Sequence, residues 1–246
     1  MATKLAFTTL RDDQGFPLFW KSHWQRLLKS WQHFDLPGEP NQSNLLCEVC
    51  DLLKQKPNSI LRIDLLSTGE FELSPRPLSC HDDEPNLKLK IASTKQTNRD
   101  APSWLKFGDY TRRLNEREQI RKQGFDDFLY LDQESYVAEA TVSNIIWVKS
   151  DQIFSPKPSK YILHGITVNL ILSTLKQSSH VDQFTMEDLY QADAAWLVNA
   201  ATGPQRISSI DEHKFNSKAP QLDLDQIYWQ LVKVDRKDRF EKADHH

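Results

Sequence analysis

Four places in the sequence carry side chains whose types and settings could do chemistry. Lys106 stands in Trp104-Leu105-Lys106-Phe107-Gly108-Asp109-Tyr110, an amine among apolar neighbours. Taken alone, it reads as an ordinary surface lysine. Glu139 ends a strand pattern and is followed by the small polar turn Ala140-Thr141-Val142-Ser143-Asn144. A solvated carboxylate is the plain reading there. Arg26 follows His23-Trp24-Gln25 on a helix pattern with apolar neighbours, and by itself is an exposed helical arginine. His164-Gly165-Ile166-Thr167 opens a further helix, where backbone N–H groups without helical partners form a ready anion site. Two other groups suggest chemistry and are set aside. Cys47 and Cys50 form a lone C-x-x-C on an amphipathic helix, without a second Cys/His pair at zinc-ligand spacing, and read as two small core residues. His81-Asp82-Asp83-Glu84 reads as a solvated turn, so no metal site is expected. Neither a phosphate-binding lysine loop, G-x-G-x-x-G, G-x-S-x-G nor H-E-x-x-H occurs.

The elements that must position these groups follow from periodicity. Residues 5–10 and 16–20 flank a D-D-Q-G turn and suggest a hairpin. Ser22 suits the cap of a helix through Trp24, Leu27, Leu28 and Trp31. A second helix is expected near 43–55, with Leu45, Leu46, Val49, Leu52 and Leu53 on its apolar side. Residues 59–65 and 70–74 read as a hairpin turning at Thr68-Gly69, and 87–92 as another strand. The polar stretch 93–104 is the best linker candidate. Beyond it, 112–123 is a charged helix ending at Gly124. Strands follow at 128–132, 136–139, 145–148, 152–154, 194–199 and 206–210, with helices at 167–176, 186–191 and 224–234. Strands and helices mix without a βαβ repeat, so the fold class is α+β. The division expected is a small domain over 1–95, a linker over 96–105 and a large domain over 106–246.

Composition agrees with a soluble globular protein. Of 246 residues, 39% are hydrophobic and 26% charged. A net charge of −3 without a basic stripe argues against a nucleic-acid partner. Apolar runs are too short for a membrane span, and residues 1–10 lack a signal-peptide core, which makes the cytoplasm the expected location. Three cysteines are too few for a disulfide framework. His245 and His246, at the end of the sequence, are expected to carry no function.

Taken in order, the segments resemble the class IV aminotransferases over nearly the whole chain. The resemblance begins at Phe7-Thr8-Thr9-Leu10-Arg11 and His23-x-x-Arg26-Leu27. It continues through Lys106-x-Gly108-x-Tyr110, Gly124-x-Asp126-Asp127-x-Leu129-x-Leu131-Asp132 and Val137-x-Glu139-x-Thr141-x-Ser143-Asn144-Ile145. It ends with Ile153-Phe154-Ser155-Pro156, Gly165-Ile166-Thr167 and Gln191-Ala192-Asp193 running to Asn199-Ala200. Glu139 to Asn144 followed by Gly-Ile-Thr is the most specific part.

The resemblance implies the two-subdomain fold of the D-amino-acid aminotransferase type and the cofactor pyridoxal 5'-phosphate. It implies Lys106 as the lysine that forms the Schiff base and then moves the proton at the substrate carbon. Burial beside the cofactor's positive charge would free such an amine near neutral pH. It implies Glu139 on the pyridine nitrogen, and Arg26 on the phosphate by a charge-assisted contact. The backbone of Ile166 and Thr167 would complete the phosphate cup, with the chain around Asn199-Ala200 nearby. Tyr110 resembles the tyrosine near the phenolic oxygen. A rival register sets Arg112-Arg113-Leu114-Asn115 on the lysine-x-Leu-Asn form; the Lys106-to-Glu139 spacing has the family's length and this register does not.

Within the family, Phe7-Thr8-Thr9 and the run Gln191-Ala192-Asp193-Ala194-Ala195-Trp196 resemble the 4-amino-4-deoxychorismate lyase branch. That branch releases pyruvate to leave 4-aminobenzoate, a folate precursor. Thr8 and Thr9 are its candidate substrate contacts, and Arg76, Arg112 and Arg113 are candidates for the substrate carboxylates. A transaminase of branched-chain or D-amino acids is the alternative, and a non-catalytic descendant a third. The departures are a missing strand before Phe7, a reduced turn at Ser67-Thr68-Gly69, Val168 for arginine and Arg206 for proline. The family implies a homodimer. Trp20, Trp24 and Trp31 suit either a subunit contact or the core, with core preferred.

Overall fold

A computed structural model describes residues 2–78, 86–108, 110–175, 178–216 and 220–243, with side chains described as far as 239. His81-Asp82-Asp83-Glu84 and the terminal histidines lie outside these residues. The chain forms two compact units. The first contains residues 1–80, 105–108 and 230–246; the second contains 81–104 and 109–229.

The first unit is an antiparallel sheet with helices on it. Strands β1 (Lys4–Arg11), β2 (Ser59–Leu66) and β3 (Phe71–Pro77) pair in the order β1-β2-β3. Helices α1 (Trp20–His33) and α2 (Gln42–Gln55) cover it. Their apolar stripes meet in a core of Leu10, Trp20, Trp24, Leu27, Leu45, Val49, Leu53, Leu61 and Ile63. Trp20, Trp24 and Trp31 are all buried, as core residues.

Three local expectations differ from the structure. Residues 16–20 make no second hairpin strand, only an isolated bridge between Asp12 and Pro17. Pro17 has no N–H to extend a ladder, and β1 pairs with β2 instead. Helix α1 starts before Ser22: Phe19, in the left-handed region at φ 56°, stands at the N-cap and its carbonyl accepts from the Ser22 N–H. On α2 the buried stripe is Leu45, Val49 and Leu53, while Cys47 is exposed and Cys50 half-buried. The cysteines are thus not core residues, because the spacing of four turns them off the packed face.

The second unit holds a mixed nine-stranded sheet. In chain order its strands are β4 (Asn86–Ile91), β5 (Asp127–Leu131), β6 (Val137–Ala140), β7 (Asn144–Lys149), β8 (Gln152–Pro156), β9 (Ser179–Asp182), β10 (Ala194–Asn199), β11 (Gly203–Ile210) and β12 (His213–Lys214). They pair as β6-β5-β4-β11-β10-β7-β8-β9, with β12 on β11. Strand β4 lies parallel to β5 and β11, and β8 parallel to β9; the other pairs are antiparallel. Helices α3 (Thr111–Arg121), α4 (Ile166–Thr174) and α5 (Met186–Tyr190) belong to this unit. Helix α6 (Leu224–Ala243) divides between the units after Trp229. The core includes Leu89, Leu129, Ile145, Trp147, Leu197 and Ile207. Strands β7 and β10 are near-continuous apolar runs buried on both faces, whereas β4 alternates exposed and buried side chains.

The expected α+β class is what the chain forms. The expected division at 96–105 differs from the units, because β4 belongs to the large sheet. Residues 105–108 group with the first unit, through the bond from the Phe7 N–H to the Lys106 carbonyl at 2.8 Å. No helix among the described residues is long and apolar enough to cross a membrane.

Candidate functional site

In the first unit, the Lys106 backbone lies against β1, and its Nζ sits 4.9 Å from the centroid of the Phe7 ring. The Arg62 guanidinium lies 3.6 Å from the same centroid, a cation–π arrangement that holds two cations at one aromatic side chain. Strand alternation puts Thr8 and Thr9 on opposite faces of β1. Thr8 is buried toward α1, and its hydroxyl is 2.6 Å from His23 Nδ1. Thr9 is half-buried and stands opposite Arg62 in the β1–β2 register. The His23 ring is buried, and its Nε2 has no hydrogen-bond partner among the described residues. Burial, then the charges of Arg26 and Lys106, hold its pKa well below the ordinary histidine value. The unit thus brings Thr8, Arg26 and Lys106 together around a neutral histidine.

In the second unit, three segments converge. The first is the end of β6. The Glu139 carboxylate is 5% exposed as a residue and accepts from Gln96 Nε2 at 2.9 Å, the Leu163 N–H at 2.9 Å and Arg113 Nη1 at 3.3 Å. The second is 163–167. Asn144 Nδ2 donates to the Leu163 carbonyl at 2.8 Å, which ties this loop to the first segment. A methyl group on Gly165 would lie 2.0 Å from Asn144 Oδ1, so the close approach of these chains requires glycine there. The third is 199–202. Asn199 Nδ2 donates to Ser143 Oγ at 2.9 Å, while its Oδ1 accepts from the N–H groups of Ala201 and Thr202 at 2.8 and 2.9 Å. Ala200 sits inside that turn.

Helix α4 begins without a side-chain cap. Its ladder starts with the Asn169 N–H on the Gly165 carbonyl at 3.1 Å, so the amides of Ile166 and Thr167 stand ahead of the first helical bond. Thr167 is 1% exposed, and its hydroxyl has no hydrogen-bond partner among the described residues. Such a group calls for a partner, because a buried polar atom left unsatisfied costs on the order of 1–3 kcal/mol. Tyr110 precedes α3, with the Arg113 guanidinium 5.7 Å from its ring centroid.

Residues 5–210 match the family model of the amino-transferase class IV. The chain belongs to the class IV aminotransferases. A probable branched-chain-amino-acid aminotransferase of Aquifex aeolicus (strain VF5) is 27% identical over 237 residues, 86% of this chain and 75% of that protein. An aminodeoxychorismate lyase of Vibrio harveyi is 25% identical over 130 residues, 52% of this chain and 48% of that protein. Two solved structures share the class IV fold at lower identity. A putative 4-amino-4-deoxychorismate lyase of Legionella pneumophila superimposes with a TM-score of 0.79 at 21% identity, covering 94% of this chain and 90% of that one. A hypothetical aminotransferase of Mycobacterium tuberculosis, solved in a form with alpha-ketoglutarate and PMP bound, gives 0.75 at 19%, covering 94% and 88%.

This class IV chain contains site residues that sequence reasoning did not assign. Gln96, 2% exposed, lies in the stretch read as linker yet anchors Glu139. Arg113 was a candidate for a substrate carboxylate, and in the structure it pairs with Glu139. The one available signal was its place three residues after Tyr110 at helical spacing. Arg76 lies exposed on β3, and Arg112 pairs with Glu116 on the helix surface at 2.7 Å.

Proposed function

We propose that this class IV chain is a pyridoxal 5'-phosphate enzyme with 4-amino-4-deoxychorismate lyase activity. One observation carries the cofactor reading: a buried carboxylate, Glu139, and an uncapped helix start with an unsatisfied Thr167 hydroxyl share one set of interlocked segments. These are the complements of a cationic ring nitrogen and of a phosphate. A carboxylate offers about four lone-pair sites. Among the described residues, Glu139 Oε1 has two donors and Oε2 one, which leaves Oε2 room for a ring N–H. The residues therefore fit the group.

When bound, the cofactor supplies an electron sink. The chain's own residues do the rest. Glu139 orients the ring and balances its charge. The amides of Ile166 and Thr167, the Thr167 hydroxyl and the turn at Ala200 receive the phosphate, and Arg26 adds a charge-assisted donor. Tyr110 would stand near the phenolic oxygen, as the family resemblance implies. Lys106 would hold the cofactor covalently until the substrate amine displaces it, and the freed Lys106 amine would then take the proton from the substrate carbon that bears nitrogen. As that proton leaves, the bond from the ring carbon to the enolpyruvyl oxygen would break; the departing enolpyruvate takes a proton back and becomes pyruvate, and the aromaticity of the remaining ring drives the step. Thr9 is the substrate contact of the threonine pair, since the Thr8 hydroxyl is engaged with His23.

The lyase assignment rests on Phe7-Thr8-Thr9 and on the Gln191-to-Trp196 run. A transaminase of branched-chain or D-amino acids is the second reading, favoured by the 27% identity to the Aquifex protein over 86% of the chain. Incubation with 4-amino-4-deoxychorismate discriminates them. The lyase releases 4-aminobenzoate and pyruvate in equal amounts; amino exchange between an amino acid and an oxoacid, without 4-aminobenzoate, would overturn the lyase. The reading includes a cytoplasmic homodimer, for which light scattering should give about twice the chain mass of 28.6 kDa.

A further inference from the structure

The setting of Arg113 carries a role that the class IV pattern does not assign. Of the three donors on Glu139 among the described residues, Gln96 Nε2 and the Leu163 N–H are neutral. Arg113 supplies the cation, with Nη1 3.3 Å from Oε1 and 3.4 Å from the Thr141 carbonyl. Its side chain is 15% exposed and that of Glu139 is 7% exposed. The guanidinium lies 5.7 Å from the ring centroid of Tyr110 and 5.4 Å from that of Tyr130, so two aromatic side chains hold it in place. A buried carboxylate needs a compensating charge, and removing one partner of a buried pair leaves the other uncompensated.

We propose that Arg113 is the counter-ion of Glu139 while the site is empty, and that the protonated ring nitrogen of pyridoxal 5'-phosphate competes with it for the same carboxylate charge. The second half rests on the proposed cofactor reading. Arg113 is a positioning residue here, not a catalytic one. The two cations approach different oxygens: Gln96 and Arg113 fill Oε1, which leaves Oε2 for the ring. Competition for one charge has a thermodynamic consequence. A substitution that destabilises the empty state more than the loaded state must tighten cofactor binding by the same ratio.

The test uses the full chain, with pyridoxal 5'-phosphate itself as the probe. Thermal midpoints are measured without and with saturating cofactor, and the Kd comes from a visible-absorbance titration. Arg113→Gln keeps a hydrogen-bond donor and removes the charge. It should lower the midpoint of the empty protein more than that of the loaded protein and tighten Kd at least threefold. Arg113→Lys, which restores the charge, should return both toward wild type. Equal lowering of both midpoints with an unchanged or weaker Kd would mean a merely structural role and overturns the proposal. Should Arg113→Gln fail to fold, the double variant Arg113→Gln/Glu139→Gln decides. With both charges removed it should regain the midpoint of the empty protein, and a double variant as unstable as the single overturns the counter-ion. A wild-type chain that gives no absorbance change overturns the cofactor reading and the competition with it, while the comparison of single and double variants still judges the counter-ion on its own.

Discussion

His23 shows how one residue's setting becomes a measurable property. Its ring is buried against Thr8, and burial followed by the charges of Arg26 and Lys106 holds its pKa well below 6.5. The unfolded chain therefore binds the proton more readily than the folded one. This contribution to stability is complete above the unfolded value of 6.5 and is lost as pH falls below it toward the depressed folded value. The urea midpoint of wild type should drop between about pH 7.5 and pH 5.5 by more than that of His23→Gln; parallel pH profiles would remove His23 as the source. At Glu139, the isosteric Glu139→Gln leaves Arg113 without its carboxylate. It should cost about 3–5 kcal/mol in denaturant unfolding, the range for breaking one side of a buried pair. A loss below about 1 kcal/mol would show that water already screens the pair. The same residues mark how far the sequence could be read. Glu139, Lys106 and Arg26 stand out through an ordered motif pattern. Gln96 and Arg113 reach Glu139 from a polar stretch and a charged helix whose local sequence says nothing of their long-range partner.

Among the elements, α4 has the sharpest steric requirement. Gly165 has φ −68°, so its need for glycine comes from contact with Asn144 and not from backbone conformation. Gly165→Ala should destabilise the chain by about 1–3 kcal/mol, as for other overpacked sites, because Asn144 is held by its bond to the Leu163 carbonyl. It should also weaken binding of pyridoxal 5'-phosphate. Chemical denaturation and an absorbance titration check the two effects, and a neutral alanine variant would mean that the Asn144 side chain moves freely. Most elements were legible from periodicity, including α2, the β2–β3 hairpin and the strands from β5 to β8. Those missed were short or lacked an apolar signal: β9 is Ser179–Asp182, half-buried at Ser179 and exposed over its other three residues, and β12 has two residues. The false strand at 16–20 came from apolar residues that pack as a turn leading into α1. Cys47 and Cys50 lie off the packed stripe of α2 because Leu45, Val49 and Leu53, spaced four apart, already fill it.

At the scale of the whole molecule, the α+β class and the family were both readable from the ordered motifs, and residues 5–210 match the class IV aminotransferases. Assignment of chain to units was not readable. The strand β4 lies beyond the first hairpins in sequence, yet joins the large sheet through parallel pairing with β5 and β11, and no local pattern announces a parallel partner. The lysine at 106 likewise follows a polar stretch, but backbone bonding to β1 groups it with the first unit. The central claim is that this lysine carries pyridoxal 5'-phosphate. It predicts that Lys106→Ala loses turnover by at least about 10³-fold with cofactor present, the scale of losing a nucleophile and proton carrier. The most direct measurement is a visible absorption spectrum of the purified chain with pyridoxal 5'-phosphate, followed by borohydride reduction and peptide mass mapping. A yellow band in the wild type and a reduced adduct on the peptide containing Lys106 is the predicted result. No band, or an adduct on any other lysine, would contradict it.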